Sequence, residues 1–413
     1  MGRSLKTLRF LFSPKINSFW KEIGKQLADS ICPSNYKVQV WENFSAFDDE
    51  AYQAVVAQDC INIIVGSADY VGVEGILLSP ERCNALLSSC YLLQGEQPGS
   101  LWVDRYLDYF KRAKGIFDIS STSVTYYKSL GINAWHWQLG YAENYVGASD
   151  AKGTDMLFLG GLTLPRGEFF SKHSDYFSQS NAKLIFSDIS VVQGSRESIF
   201  LDNSSRNSLC ADSRIVFDVN GHGLSYFTWH RALLALSNKC LYISDDCLGF
   251  EPLIPGEHFV SVSKDYLFET IRYFNEHRDL AQSIAAKGHE FVTSELRQDK
   301  LTNEFLDCFF SSKDSHRAVA TLKEGASRRQ PAEWEQNLIS LLESTPPDSS
   351  LIPKVKIAET FTKPPIYNLP DLSAVQEKQR LFEERQEKEV ALISSNSNFY
   401  SVRDNERYVR YSR

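Results

Sequence analysis

The sequence predicts an α/β protein of two doubly wound parallel-sheet units, residues 1–149 and 150–311, followed by a partly helical or disordered tail, residues 312–413. Three observations predict it. Short apolar, β-branched runs alternate with amphipathic stretches from Leu8 to Phe310, as they do where crossover helices join parallel strands. A loop of small and polar residues, Gly147 to Thr154, interrupts that alternation and reads as an interdomain hinge. Beyond Ser311 the texture changes to Ser, Pro and balanced charge, with TPPDSS and TKPP as breakers.

In the first unit Leu8–Ser13 reads as a strand feeding through Ser13-Pro14 into an amphipathic helix over Ile16–Ile31. Tyr36–Glu42 and Cys60–Val65 are further strands. Cys90–Gln94, Gly115–Ser120 and Ala134–Gln138 follow as strands, with helices over Leu101–Lys114 and Ser121–Leu130 between them. The second unit opens on the buried strand Met156–Leu159, followed at once by Gly160-Gly161. It continues through the strand Lys183–Ser187 and a helix around Glu197–Leu209. Then come the strand Arg214–Val219, a helix over Tyr226–Leu236, the strand Cys240–Ser244 and an acidic loop leading to a strand near Val262. Helices over Tyr266–Phe274, Asp279–Glu295 and Leu301–Phe310 close the unit. In the tail, Pro331–Glu343 and Ser373–Leu392 have helical spacing, the second with only a thin apolar stripe.

Composition excludes several classes. The hydrophobic fraction is 43%, and no apolar run is long enough to span a membrane. TLRFLF near the start is too short for a signal core and reads as a first strand, so a cytoplasmic location is expected. A formal charge of −8 argues against a polyanion binder, and no nucleic-acid polymer is expected as a partner. The eight cysteines contain no C-x-x-C pair and sit mostly in apolar segments, as buried free thiols do. The eight histidines show no H-x-x-x-H or H-x-H spacing, and no metal site or bound cofactor is expected.

In open α/β sheets ligands bind outside the carboxyl ends of the strands, which selects a small set of polar residues. Gly160 and Gly161, with Arg166 downstream, suit a diphosphate: glycine lets backbone N–H groups approach an anion and a guanidinium holds it bidentately. A tight turn after a core strand would look the same. Arg231, on the helix over Tyr226–Leu236, could face the same crevice or be simply salt-bridged. Asn220 and His222 lie in the glycine-containing loop, and Asp245, Asp246 and Glu251 lie after the next strand, where carboxylates could accept sugar or ribose hydroxyls. In the first unit Glu96 follows a strand end. His136 lies between Trp135 and Trp137, which read as core.

Taken in order, LLQGEQPGS, GIFDISSTSVTYYKSLGINAWHWQLGY, FLGGLTLPR, VFDVNGHGLSYFTWHRALLALSNKCLYISDD, EPLIPGEHFV and AQSIAAKGHEFV resemble the group-1 type glycosyltransferases of the GT-B fold. The resemblance covers about Leu8 to Phe310. It implies two facing Rossmann-like domains, the acceptor on the first and a nucleotide-diphosphate sugar on the second. By that resemblance Gly160, Gly161 and Arg166 would touch the donor diphosphate, with Arg231 on the helix facing it. Asp245 and His136 are the candidate catalytic residues. Asn220, His222, Asp246, Glu251 and Glu96 would line the substrates. The implied activity is metal-independent transfer of a hexosyl or related group to a carbohydrate, lipid-linked or protein acceptor.

One residue departs from the family's pattern. Many relatives place a glutamate for the nucleotide ribose three residues after the arginine, and here Leu234 stands there. Two other readings therefore stay open: a non-catalytic binding protein of the same fold, and a nucleotide-sugar epimerase of the same architecture. The latter would need carboxylates on both sides of the sugar.

The tail carries one apolar stripe, Trp334, Leu338, Leu341 and Leu342. Truncation after Pro346 is expected to leave the thermal midpoint unchanged, and truncation before Pro331 to lower it. Equal midpoints for the two shortened chains would show that this stripe packs on nothing.

Overall fold

The computed structural model describes residues 5–57, 60–149, 151–161, 163–187, 201–221 and 226–311. The helices expected over Pro331–Glu343 and Ser373–Leu392, and His222, lie outside the described residues. The first sheet contains β1 (Lys6–Leu11), β2 (Tyr36–Trp41), β3 (Ile61–Val65), β4 (Cys90–Gln94), β5 (Gly115–Asp118) and β6 (Ala134–His136), all parallel, in the order β2-β1-β3-β4-β5-β6. The second contains β7 (Thr154–Gly161), β8 (Ala182–Ser187), β9 (Ser213–Asp218), β10 (Leu241–Asp245) and β11 (Val260–Val262), again all parallel, in the order β11-β10-β9-β7-β8. Both are doubly wound. In each, the chain leaves the first strand toward one edge and then crosses back to build the other side. That leaves a switch point between β1 and β3 in the first sheet and between β7 and β9 in the second.

Alternation of side chains sorts the core. On β1, Leu8 and Phe10 point to one face and Leu11 to the other, each without exposure. The apolar cluster on the Leu8 face includes Trp20, Ile23 and Leu27 of the helix Ser18–Asp29. It runs on without a break to Ala232–Leu236 on the second domain's helix Trp229–Ser237. Separate clusters fill the opposite face of each sheet.

Several boundaries differ from the sequence reading. The strand expected to end at Leu159 continues through Gly161, and Gly160 and Gly161 pair in register with Phe186 and Ser187. They end a strand rather than form a turn. The helix expected from Tyr226 begins at Trp229, because Tyr226 forms an isolated bridge with Leu248. Helices Ser67–Val73 and Pro80–Ser88 were not predicted; both are short and carry too few apolar residues for a readable stripe.

The last described helix, Gln298–Ser311, follows the second domain in sequence and packs on the first sheet in space. Phe305 stacks on Trp137, Phe309 meets Tyr91, Phe117 and Trp135 edge-on, and Tyr36 bonds Asp307 at 2.9 Å. Gln298 seats the return. Its Oε1 accepts from Gly140 N at 2.8 Å and Gln26 Nε2 at 2.9 Å, and its Nε2 donates to Thr302 Oγ1 at 3.0 Å. The chains run so close here that a Cβ on Gly140 would lie 2.2 Å from the carbonyl oxygen of Leu296, which requires glycine.

Gln298→Ala strands the buried Gly140 N–H and removes one of the two acceptors of the Gln26 amide, which keeps Gly140 O at 3.1 Å. It is expected to destabilise the fold by about 3 kcal/mol, read as a lowered denaturation midpoint. A loss below about 1 kcal/mol would mean that the aromatic contacts alone hold the helix.

Candidate functional site

The second sheet's switch point carries two buried guanidiniums on one carboxylate. Asp218, the last residue of β9, is almost fully buried and forms ion pairs with Arg166 and Arg231. Tyr242 on β10 adds a hydroxyl at 3.3 Å. Arg166, from the helix Leu164–Lys172, also donates through Nε to Val219 O at 2.7 Å and through Nη1 to Gly161 O at 2.8 Å. Its guanidinium lies flat on backbone: a Cβ on Gly160 or Gly221 would stand 3.1 Å from it. The glycines therefore admit the arginine, which in turn sits where an anion would approach them.

Charge bookkeeping explains the protonation states. Burial disfavours Asp218's ionised form, but Arg231 and Arg166 outweigh it and hold the carboxyl below its usual range. Burial lowers Arg166 to about 10 against the pull of Asp218, and Arg231 is raised because Asp218 more than offsets its own burial. Two positive charges thus share one fixed negative charge. A surplus of positive charge at a strand end attracts anions.

Asp245 ends β10 beside this group. Its Oδ2 accepts the Asn220 N–H at 2.8 Å, and burial pushes its carboxyl up to about 7. Asp246 and Glu251 are exposed. They share a loop with Asp245, but the structure does not gather all three around one point. Leu234 is buried in the apolar cluster that joins the domains, so that position presents no polar group to a ligand.

On the first sheet, His136 ends β6 with Nε2 unpartnered, and burial lowers it to about 4, so it is a neutral imidazole at pH 7. Trp135 and Trp137 are core, as their texture implies. Glu96 lies two residues past β4, partly open, and burial together with nearby Asp69 raises it to about 7. Asp118 ends β5 fully buried, its Oδ1 taking the Ser120 N–H at 2.7 Å. The two domains touch here: the Tyr226 hydroxyl donates to Gly95 O at 3.1 Å.

Asp218, Asp69, Asp118 and Tyr226 escaped the sequence reading. Asp218 had a signal, an acidic residue closing the apolar run RIVF, where a strand's carboxyl end meets the ligand edge. Tyr226 had none, because its aromatic ring fitted the helical spacing around it. Among the described residues no cluster of three or more His, Cys, Asp or Glu could hold a metal, and no helix is long and apolar enough to cross a membrane.

Residues 185–307, which span β9, β10, β11 and their helices, match the family described as Glycosyl transferase-like. Residues 185–307 are thus similar to glycosyl transferases, and the two parallel-sheet domains have the GT-B fold. Similar solved structures include sucrose-phosphate synthase from Thermosynechococcus elongatus, at 10% identity over 74% of this chain and 98% of that one, with a TM-score of 0.51. HepE from Anabaena in complex with UDP and glucose matches at 12% identity over 75% and 100%, with a TM-score of 0.54. A glycosyltransferase from Rickettsia africae matches at 9% over 74% and 98%, with a TM-score of 0.51. At these identities the likeness is one of fold. No curated protein matches the sequence.

Asp245 supplies a pH test. Below about 7 it is neutral, and above that its charge stands beside Arg166 and opposes an incoming anion. Pyrophosphate affinity is expected to fall more between pH 6 and pH 8 in the parent than in Asp245→Asn, because only the parent gains a negative charge beside the site. Parallel pH profiles in calorimetry would place the anion elsewhere.

Proposed function

We propose that the chain transfers a hexosyl or related group from a nucleotide-diphosphate sugar to an acceptor hydroxyl, in the cytoplasm and without a resident metal. The carrying observation is the pair Arg166 and Arg231 on Asp218, set at the switch point of a glycosyl transferase-like domain. Departure of a nucleoside diphosphate develops negative charge. Fixed guanidiniums at the strand ends stabilise that charge without reorganisation, and this is the role a bound cation would otherwise fill. Gly160 and Gly161 make room for the Arg166 guanidinium that would meet the diphosphate, and Asn220 and Asp245 border it. Exposed Asp246 and Glu251, and His222, are assigned to the sugar and nucleotide edge. The donor is a substrate, and the reading assigns no cofactor. Its acceptor, carbohydrate, lipid-linked or protein, would enter from the first domain by Glu96 and His136. The free thiols and the acidic charge favour the cytoplasm.

Two observations favour other readings. Buried Leu234 suits a binding protein that has lost the ribose carboxylate. Carboxyls on the first domain, Asp69, Glu96 and Asp118, supply the second acidic wall that an epimerase would need.

HepE was solved with UDP, which makes UDP the first probe. Arg231→Ala is expected to weaken UDP binding by 1.5–3 kcal/mol, roughly 10- to 150-fold, the worth of a charge-assisted contact. Arg166→Ala should weaken it less, because three of the Arg166 N–H groups already serve Val219, Gly161 and Asp218. Calorimetric titration decides it. If both variants bind like the parent, the arginine pair is structural.

A further inference from the structure

The seam between the domains buries an imidazole. His230, in the first turn of the helix Trp229–Ser237, is 7% exposed. Its ring meets Phe19 of the helix Ser18–Asp29 edge-on, 4.9 Å between centroids, and Tyr145 of the short turn Glu143–Tyr145 at 5.5 Å. The ring's Nε2 makes no hydrogen bond and lies 3.9 Å from Glu22 Oε2. Glu22 follows Phe19 on the first domain's helix, and its ion-pair partner is Arg206 on the second domain's helix Asn203–Ala211. One carboxylate of the first domain therefore faces both a guanidinium and an imidazole of the second.

The cluster lies between a pivot and the cleft. The two chain crossings run side by side, with Tyr141 N on Leu296 O at 2.6 Å and Gln298 N on Tyr141 O at 2.8 Å. Gln26, one turn past Glu22 on the same helix, bonds both crossings through Gly140 O and Gln298 Oε1. The helices Ser18–Asp29 and Trp229–Ser237 start beyond the carboxyl ends of β1 and β9, so Phe19, Glu22 and His230 stand nearer the cleft than Gln26 does. Burial, Arg206 and Arg231 all disfavour the imidazolium and lower His230 well below its usual range. Asp218 already serves Arg231 and Arg166, and Glu22 serves Arg206. A proton on His230 would add a cation without a carboxylate of its own.

We propose that His230, Glu22 and Arg206 form a proton-sensitive lock on the cleft: neutral His230 lets the domains close, and a proton on it drives them apart. The lock does not depend on which substrates the cleft takes. Separation returns the ring to water, where it takes a proton at about pH 6.5. A group lowered in the closed form supports closure fully above that value and loses its contribution as pH falls through it. Glu22 acts in the opposite sense, because burial raises it and closure then favours its proton. The Tyr145 phenol, raised by burial, stays protonated throughout.

The test follows the interdomain distance in the full chain by single-molecule energy transfer between pH 7.5 and pH 5.5. One dye sits on each domain through an introduced azido residue, so that the eight native cysteines stay. The parent's open-to-closed ratio is expected to rise several-fold as pH falls, up to about ten-fold, the most that one proton taken up near pH 6.5 allows over this range. His230→Gln, which never carries charge, should hold its ratio within about two-fold. Glu22→Gln should respond at least as strongly as the parent, since the opposing carboxyl is gone. Arg206→Gln should respond less, because a protonated His230 then has Glu22 to itself; this variant decides the matter if His230→Gln does not fold. A parent ratio that changes by less than about two-fold, a full response in His230→Gln, a weaker one in Glu22→Gln or an undiminished one in Arg206→Gln overturns the proposal.

Discussion

Gln298 and the helix it starts tie the second domain back onto the first sheet. A parallel sheet places all its ligand-edge loops at one end, so two such sheets form a bimolecular site only if those ends are kept face to face. The last described helix leaves the second domain and docks on the first through Phe305, Phe309 and Phe310. The aromatic contacts supply area, while the glutamine amide fixes the register, since each of its polar atoms has a partner at one geometry. Further ties cross the same seam, including the ion pair of Glu22 with Arg206 and the bonds of Asn303 to Ser30 and Cys32.

Within that frame the two switch points are built with opposite charge. On the second sheet, Asp218 allows two guanidiniums to be buried together, which repulsion and desolvation would otherwise forbid, and leaves a surplus positive charge. On the first, the carboxyls of Asp69, Glu96 and Asp118 accumulate, and burial raises each above its usual range. The Tyr226–Gly95 bond is one of the contacts that join the two halves.

Strands were legible because buried β-branched runs have few other uses, and the order of weak motifs made the architecture readable where no single motif did. Arg166 and Arg231 were legible as charges next to strand ends. Their partner was not, since Asp218 reads as the last letter of an apolar run and only the packing of three elements brings it under both arginines. The glycines at 160 and 161 read as a phosphate loop or a turn after a strand ending at Leu159, whereas the sheet extends them as β7 because β8 offers paired partners through Ser187.

Sequence by itself determined the α/β class, the two parallel sheets and the strand ends where polar residues collect, because hydrophobic periodicity is a local property that each segment carries alone. Tertiary structure decided which of those polar residues share a site. It took Tyr226 out of a helix and set it against Gly95, buried Leu234 where a ribose carboxylate would stand, and brought Asp69 beside Glu96 from 27 residues away in sequence. Burial and neighbouring charge, which set the protonation of Asp245, Glu96 and His136, arise only when distant segments pack together.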